Sequence, residues 1–145
     1  MVGDVVEAGG TFKLENCTYE APEGKQPEIA AFFWMQGESD AQAMVHVEKY
    51  EWRYDNLLAD FKAEFAEYLD NCTYVDGGIS DRWLHYKEMN AIKRDYAARC
   101  GYQYLDTIAA GLTTEKEPIE EPDWAHYDVD STIKLGELFA ERLSV

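Results

Sequence analysis

The chain has 145 residues, enough for one domain with a substantial core, and its content of 46% hydrophobic and 14% aromatic residues is typical of a globular protein. Its 29 acidic and 13 basic residues give a net charge of −16, which disfavours nucleic acid and anionic membranes as partners and fits neutral or cationic ligands. Because no apolar run is long enough to span a membrane and the N-terminus lacks the pattern of a signal peptide, we expect a cytoplasmic protein.

The three cysteines, Cys17, Cys72 and Cys100, lie far apart and form no Cys-x-x-Cys pair. Their odd number and wide spacing argue against a disulfide scaffold and against a zinc site. We therefore expect buried free thiols.

The N-terminal part of the sequence predicts little regular structure until the strand over residues 29–35. Residues 1–28 show no periodicity except over 11–15, where weak alternation predicts a short strand. Residues 22–27, with two prolines and a glycine, predict a loop. The continuous apolar run 29–35 predicts a strand buried on both faces, as in a parallel sheet covered by helices.

The rest of the chain alternates between predicted helices and strands. A long amphipathic helix is predicted over 46–69, because apolar residues recur there at spacings of three and four. Strands are predicted over 73–79 and 102–106, and helices over 83–99 and 130–143, with a loop over 107–122. In the helix 83–99, the residues expected to face inward are Leu84, Met89, Ile92 and Tyr96, and those expected to face outward are Asn90, Lys93 and Arg94. In the helix 130–143, the residues expected to face inward are Ile133, Leu135, Leu138, Phe139 and Leu143.

This order of elements predicts an α/β fold in which a parallel sheet is wound in right-handed units. We expect a single domain over residues 1–145. Three predicted strands are few for such a sheet, which usually has about five or six. We therefore expect the sheet to be incomplete at the N-terminus, with residues 1–28 divergent or replacing missing elements.

The segment Gln36-Gly37-Glu38-Ser39-Asp40 places polar groups at the carboxyl end of a predicted buried strand, where open α/β sheets keep their active sites. Ser39 or Asp40 can cap the following helix, and Gly37 can supply the turn. Capping gives no reason for Gln36 or Glu38 at this place. A glutamine amide can donate to an oxyanion, and a glutamate can orient a histidine.

His126 lies in a predicted loop, three residues after Asp123. A carboxylate at that spacing can orient the imidazole and stabilise its charged form. Histidines near acids are also common on surface loops, so this pair alone leaves both interpretations open.

Together these segments resemble a known family. The string from Phe33 to Ala41 resembles the central block of the SGNH-type carbohydrate esterases, specifically the sialate O-acetylesterase and acetylxylan esterase group. Asp123-Trp124-Ala125-His126 and the following helix resemble the last block of that family. The resemblance covers about residue 28 to the C-terminus, and both blocks stand in the family's order.

The resemblance implies a flavodoxin-like, three-layer α/β/α SGNH hydrolase fold and serine-based hydrolysis of acetyl esters on carbohydrates. His126 would be the general base, with either Asp123 or Glu38 as its acid partner. Gln36 and Gly37 would line the oxyanion pocket, and Ser39 would lie beside them at the substrate. Neither a bound metal nor a cofactor is expected.

The chain departs from the family at the nucleophile. Members carry their reactive serine in an N-terminal Gly-Gln-Ser-Asn or Gly-Asp-Ser turn, and here Gly3-Asp4 is followed by Val5. Ser39 and Ser80 are the substitutes that can be proposed, and neither has the family's motif. The resemblance therefore leaves two main hypotheses: the C-terminal part of a longer esterase, whose nucleophile is not evident in this chain, and a non-catalytic carbohydrate-binding or interaction module. A stand-alone hydrolase that uses Ser39 is a third possibility.

In the family, the strand before the N-terminal serine turn is central in the sheet. The absence of that strand would leave strand edges unpaired. We expect either a homodimer or replacement of that strand by the 11–19 segment.

Overall fold

The computed structural model describes residues 5–6, 11–14, 17–114 and 125–143. Its contacts divide the chain into two compact units. The first comprises Met1–Ala30 and Asn56–Cys72, and the second comprises Ala31–Asp55 and Thr73–Val145.

The first unit contains a small antiparallel sheet of three strands, β1 (Val5–Val6), β2 (Thr11–Leu14) and β3 (Cys17–Glu20), in that order. The predicted strand over 11–15 is confirmed as β2, whereas β1 and β3 were not predicted. Because β2 pairs with its sequence neighbours, the 11–19 segment lies in this separate sheet and not in the parallel one, so the expected replacement of a central strand by this segment is wrong.

The second unit contains a parallel sheet in the order β4 (Ala31–Trp34), β5 (Thr73–Gly77), β6 (Gln103–Leu105). Its register pairs Trp34 with Asp76 and Gly77 with Leu105, so the three strands end close to one edge. The predicted α/β fold with a parallel sheet is confirmed. The single domain and the homodimer stay predictions.

The strand β4 is less buried than its apolar sequence predicts. Phe33 is 39% exposed, and none of the four residues is fully buried. The prediction of burial on both faces is wrong because β4 is an end strand among the described strands. The middle strand β5 instead buries Val75, Asp76 and Gly77.

Three helices follow the predicted positions, with shifted ends: α1 (Met44–Glu64), α2 (Tyr86–Cys100) and α3 (Val129–Ala140). Leu84 is 75% exposed because it lies in the turn before α2. Ile133 is 59% exposed because α3 buries Ser131, Leu135 and Phe139, which recur every four residues along its opposite side. Both inward predictions are therefore wrong.

The core of the second unit lies on β5 and β6, and its buried members are Val75, Leu105, Leu112, Tyr127, Leu135 and Phe139. Among the cysteines whose side chains are described, Cys72 is half-buried and Cys100 is exposed, so the predicted burial of these two thiols is wrong. None of the described helices combines the length and the apolar character needed to cross a membrane.

Candidate active site

A cavity of about 170 Å³ opens at the carboxyl edge of the parallel sheet. It brings together residues that follow two different strands and residues that precede α3 or lie within it. The described residues that line it are Met35, Glu38, Ser80, Ala125, His126, Tyr127, Thr132 and Leu135. Glu38 and His126, predicted from separate blocks of sequence, thus share one cavity.

The loop that carries Glu38 is held in place by a hydrogen-bond network of partly buried side chains. The Gln36 carbonyl accepts from Lys93 Nζ at 2.6 Å and from the Tyr50 hydroxyl at 3.0 Å. Tyr50 Oη in turn accepts from Trp34 Nε1 at 3.1 Å. The carbonyl just before Gly37 and Glu38 is thus fixed directly by donors from α1 and α2, and β4 holds one of these donors in place.

Gly37 has a structural reason to be glycine. Its φ is +138°, which L side chains rarely adopt, and a Cβ built there lies 3.1 Å from Met89 Sδ and 3.6 Å from Ile79 Cγ2. The backbone therefore turns sharply between two packed side chains, and this turn carries Glu38 to the cavity.

Lys93 is fully buried, although the periodicity of its helix predicted that it faces outward. Its Nζ lies 2.7 Å from Asp76 Oδ1 on β5, and Asp76 is buried as well. The outward prediction fails because the counter-charge and the two oxygen acceptors come from distant parts of the chain. Asn90, also predicted to face outward, is buried for a similar reason, since its amide bonds to the Ile79 backbone.

Burial dominates the electrostatics of this pair. It raises the pKa of Asp76 to about 6, although the neighbouring ammonium of Lys93 acts to lower it. The same burial lowers the pKa of Lys93, although Asp76 acts to raise it. Asp76 Oδ2 has no hydrogen-bond partner among the described residues. The two charges therefore compensate each other, but one buried carboxylate oxygen of the pair has no hydrogen-bond donor among the described residues.

The turn after β5 is fixed just as firmly. Ile79 N donates to Asn90 Oδ1 at 2.8 Å, and Asn90 Nδ2 donates to the Ile79 carbonyl at 2.9 Å. The Gly78 carbonyl accepts from Thr107 Oγ1 at 2.9 Å and from the Tyr127 hydroxyl at 3.2 Å. These bonds position Ser80, the next residue, in the wall of the cavity.

His126 reaches the cavity from the segment that begins α3. Two residues later, the buried Asp128 caps the helix by accepting from Ser131 N at 2.8 Å, and its own N–H donates to the Thr113 carbonyl at 3.0 Å. Cap and backbone bond together fix the start of α3, so the adjacent His126 approaches the cavity from an anchored position.

The remaining predicted site residues are placed differently. The Gln36 amide donates to Asp40 Oδ2 at 3.3 Å, and Ser39 is exposed without a side-chain capping bond. Neither of them, nor Gly37, is among the described residues that line the cavity. Asp123 lies outside the described residues, so its pairing with His126 stays a prediction.

Sequence reasoning missed Asp76 and its partner Lys93, although a signal was present. Asp76 is the one charged residue of the predicted strand 73–79, and a charge in a buried strand requires a counter-charge or a hydrogen-bond partner. Within the described part of the chain, no three His, Cys, Asp or Glu side chains cluster as a metal site would require.

The cavity thus combines a carboxylate, an imidazole and a hydroxyl, the groups from which a hydrolytic site can be built.

Comparison with known proteins gives one family. The model of the carbohydrate esterase family described as sialic acid-specific acetylesterase matches residues 9–144. No curated protein and no solved structure shows significant similarity to the chain.

Proposed function

Because the chain belongs to the sialic acid-specific acetylesterase family of carbohydrate esterases, we propose that it removes acetyl groups from carbohydrates at the cavity lined by Glu38 and His126. The shared cavity is the observation that carries this proposal. It unites two sequence blocks that lie far apart in the chain.

His126 acts as the general base in this proposal. Its imidazole accepts the proton of the attacking hydroxyl and then returns it to the sugar oxygen as the ester bond breaks. Glu38 orients the imidazole and stabilises its charged form, a role supported by its place in the same cavity wall. Asp123 is the alternative acid partner.

Gln36 and Gly37 provide the oxyanion pocket, with Ser39 beside them. The fixed Gln36 carbonyl supports this role, because an anchored loop can present donors without reorganising during the reaction. The Gln36 amide would have to leave Asp40, at 3.3 Å, to reach a substrate.

Hydrolysis of para-nitrophenyl acetate and of an acetylated sugar tests the proposal. We expect His126→Ala to lower kcat by about 10²- to 10⁴-fold, the usual contribution of a general base. His46→Ala is the matched control, because His46 is exposed on α1 and is not among the described residues that line the cavity.

Equal rates in the wild type and His126→Ala would contradict the assignment of His126. Sugar binding without any turnover would support the alternative, a non-catalytic carbohydrate-binding module that retains the esterase fold.

A further inference from the structure

Lys93 is placed where a charged side chain is costly to keep. Its side chain is 0% exposed, and its Nζ lies 2.7 Å from Asp76 Oδ1. The attraction between two buried ions offsets the cost of removing them from water only with good geometry and further hydrogen bonds, and apolar residues can often replace such a pair without loss of stability. Stability alone therefore gives no sufficient reason for this pair, and the other contacts of Lys93 indicate a second role.

Those other contacts converge on one peptide group. Lys93 Nζ donates to the Gln36 carbonyl at 2.6 Å and to the Tyr50 hydroxyl at 3.1 Å, and that hydroxyl donates to the same carbonyl at 3.0 Å. The bond from the ammonium group is charge-assisted, so it is the stronger of the two that this carbonyl accepts. Lys93 on α2 is thus the main anchor of the loop that follows β4.

The orientation of this peptide group determines where the Gly37 N–H points. None of the described peptide bonds is cis, and in a planar trans peptide the N–H is directed opposite to the carbonyl. Since the Gln36 carbonyl is turned towards Lys93 and Tyr50, the Gly37 N–H is turned away from them. Gly37 is buried and directly precedes Glu38, which lines the cavity. None of the described backbone carbonyls accepts from the Gly37 N–H, and the oxygen of a bound ester can supply the acceptor that a buried donor requires.

Lys93 also acts on this peptide through its charge. A cation at a carbonyl oxygen polarises the peptide group and strengthens its N–H as a donor. Burial lowers the pKa of Lys93, whereas the carboxylates of Asp76 and Glu38 both act to raise it. The ammonium group therefore interacts electrostatically with the carboxyl group of the cavity as well as with its own partner.

We propose that Lys93 is a positioning residue of the esterase, which holds the Gln36–Gly37 peptide so that the Gly37 N–H is directed at the oxygen on which charge develops during ester cleavage. This inference rests on the proposed function, in which Gly37 belongs to the oxyanion pocket. Lys93 acts through the peptide and does not touch the substrate. Because the peptide is held before the substrate binds, the donor needs no reorganisation during the reaction.

Two single variants separate this role from simple stabilisation. Lys93→Met removes the donor to the Gln36 carbonyl, whereas Asp76→Asn breaks the same ion pair and keeps that donor. With para-nitrophenyl acetate we expect Lys93→Met to lower kcat by at least about tenfold and to leave KM within about twofold, because an oxyanion donor acts mainly in the transition state. Asp76→Asn should lower kcat by a smaller factor.

The double variant with both Lys93→Met and Asp76→Asn keeps the test valid if Lys93→Met alone folds poorly, because it leaves neither charge unpaired. We expect it to show the same loss of kcat as Lys93→Met. Arg99→Met is the matched control, because Arg99 is an exposed residue of the same helix, and this variant should retain the wild-type kcat.

Amide hydrogen exchange followed by NMR tests the loop without any turnover. The Ala41 N–H donates to the Gly37 carbonyl at 2.8 Å, so its exchange reports opening of the loop. In the double variant we expect exchange at Ala41 to be at least about tenfold faster than in the wild type. Exchange at Thr132, whose N–H donates to the Asp128 carbonyl in α3, should change by less than about twofold.

A double variant with the wild-type kcat would overturn the positioning role and leave the esterase function standing. Equal losses of kcat in Lys93→Met and Asp76→Asn would also overturn it, because they would show that the ion pair acts only through stability. If the wild type shows no turnover, the proposed function fails for this chain. Faster exchange at Ala41 in the double variant would then still support the anchoring of the loop by Lys93, and unchanged exchange would overturn it.

Discussion

At the scale of single residues, two glycines show how the backbone leads into the cavity. Gly37 is required by its φ of +138°, and Gly78 by the crowding of the side chains around it. Each lies one or two residues before a side chain that lines the cavity, Glu38 or Ser80. Glycine at these positions lets the chain turn where a larger residue would displace the site.

We expect Gly78→Ala to destabilise the protein by about 1–3 kcal/mol, the usual cost of overpacking a filled site. The added Cβ would lie 2.6 Å from Tyr104 Oη and 3.2 Å from Asn90 Oδ1 and Thr107 Oγ1. Because Asn90 and Thr107 also hold the turn before Ser80, esterase activity should fall as well. Urea denaturation and initial rates measure the two effects.

Gly136→Ala provides the control for that substitution. Gly136 lies within α3, and a Cβ there has no neighbour within 4 Å among the described residues. Alanine should therefore stabilise the helix by up to about 1 kcal/mol and leave activity unchanged. A neutral effect of Gly78→Ala would contradict the crowding on which the prediction depends.

At the scale of elements, the buried pair of Lys93 and Asp76 joins α2 to β5 beneath the Gln36 loop. Removing one charge leaves the other buried without compensation, so we expect Lys93→Met to cost about 3–5 kcal/mol. The double variant with Asp76→Asn should be less destabilised than Lys93→Met alone, because it removes both charges. Chemical denaturation of the single and double variants measures the coupling.

An exposed ion pair between Arg99 on α2 and Glu51 on α1 is the matched control. Arg99 Nη2 lies 2.7 Å from Glu51 Oε1, the same separation as in the buried pair, but both side chains are about half exposed. Arg99→Met should therefore cost less than about 1 kcal/mol. If both substitutions cost the same, burial would not be the source of the effect.

The elements themselves were largely predictable from the sequence, because each depends on local periodicity. The three strands of the parallel sheet and the three helices lie where apolar runs and spacings of three or four placed them, with ends shifted by a few residues. The environment of single residues was less predictable. Phe33 is exposed because of the strand order, and Lys93 is buried because Asp76 lies opposite. Both depend on pairing between distant segments, which periodicity does not report.

In the candidate site, too, some features were predictable from the sequence and others depend on the packed structure. The polar segment after β4 and the histidine before α3 were identifiable from sequence, since each stands at the end of a recognisable element. The unpartnered state of the Ser80 hydroxyl is a property of the packed structure. Sequence placed Ser80 in a glycine turn, and the structure adds that it is buried in the cavity wall whereas Ser39 is exposed.

At the scale of the whole molecule, the net charge of −16 should influence which acetylated sugar reacts fastest. None of the described residues that line the cavity is Lys or Arg, and Glu38 adds a carboxyl group. A neutral acetylated sugar, such as an acetylated xylose, avoids repulsion that an anionic acetylated sialic acid would meet. We therefore expect kcat/KM to be about tenfold higher for the neutral substrate at low ionic strength.

The salt dependence of kcat/KM distinguishes this electrostatic effect from an effect of the shape of the cavity. Screening at higher ionic strength should raise kcat/KM for the acetylated sialic acid and leave the value for the neutral sugar nearly constant. Faster turnover of the anionic sugar at low salt would show that local recognition outweighs the overall charge.

Because the Lys93 ammonium group is buried, its rate of chemical modification can report local opening of the structure. Amine-acylating reagents modify lysines on contact, yet the Lys93 side chain is 0% exposed and engaged by Asp76, Tyr50 and the Gln36 carbonyl. Acylation at this position therefore requires α2 to separate from β5. The extent of modification at Lys93, read by mass spectrometry after timed exposure, would report how often α2 separates from β5 under native conditions.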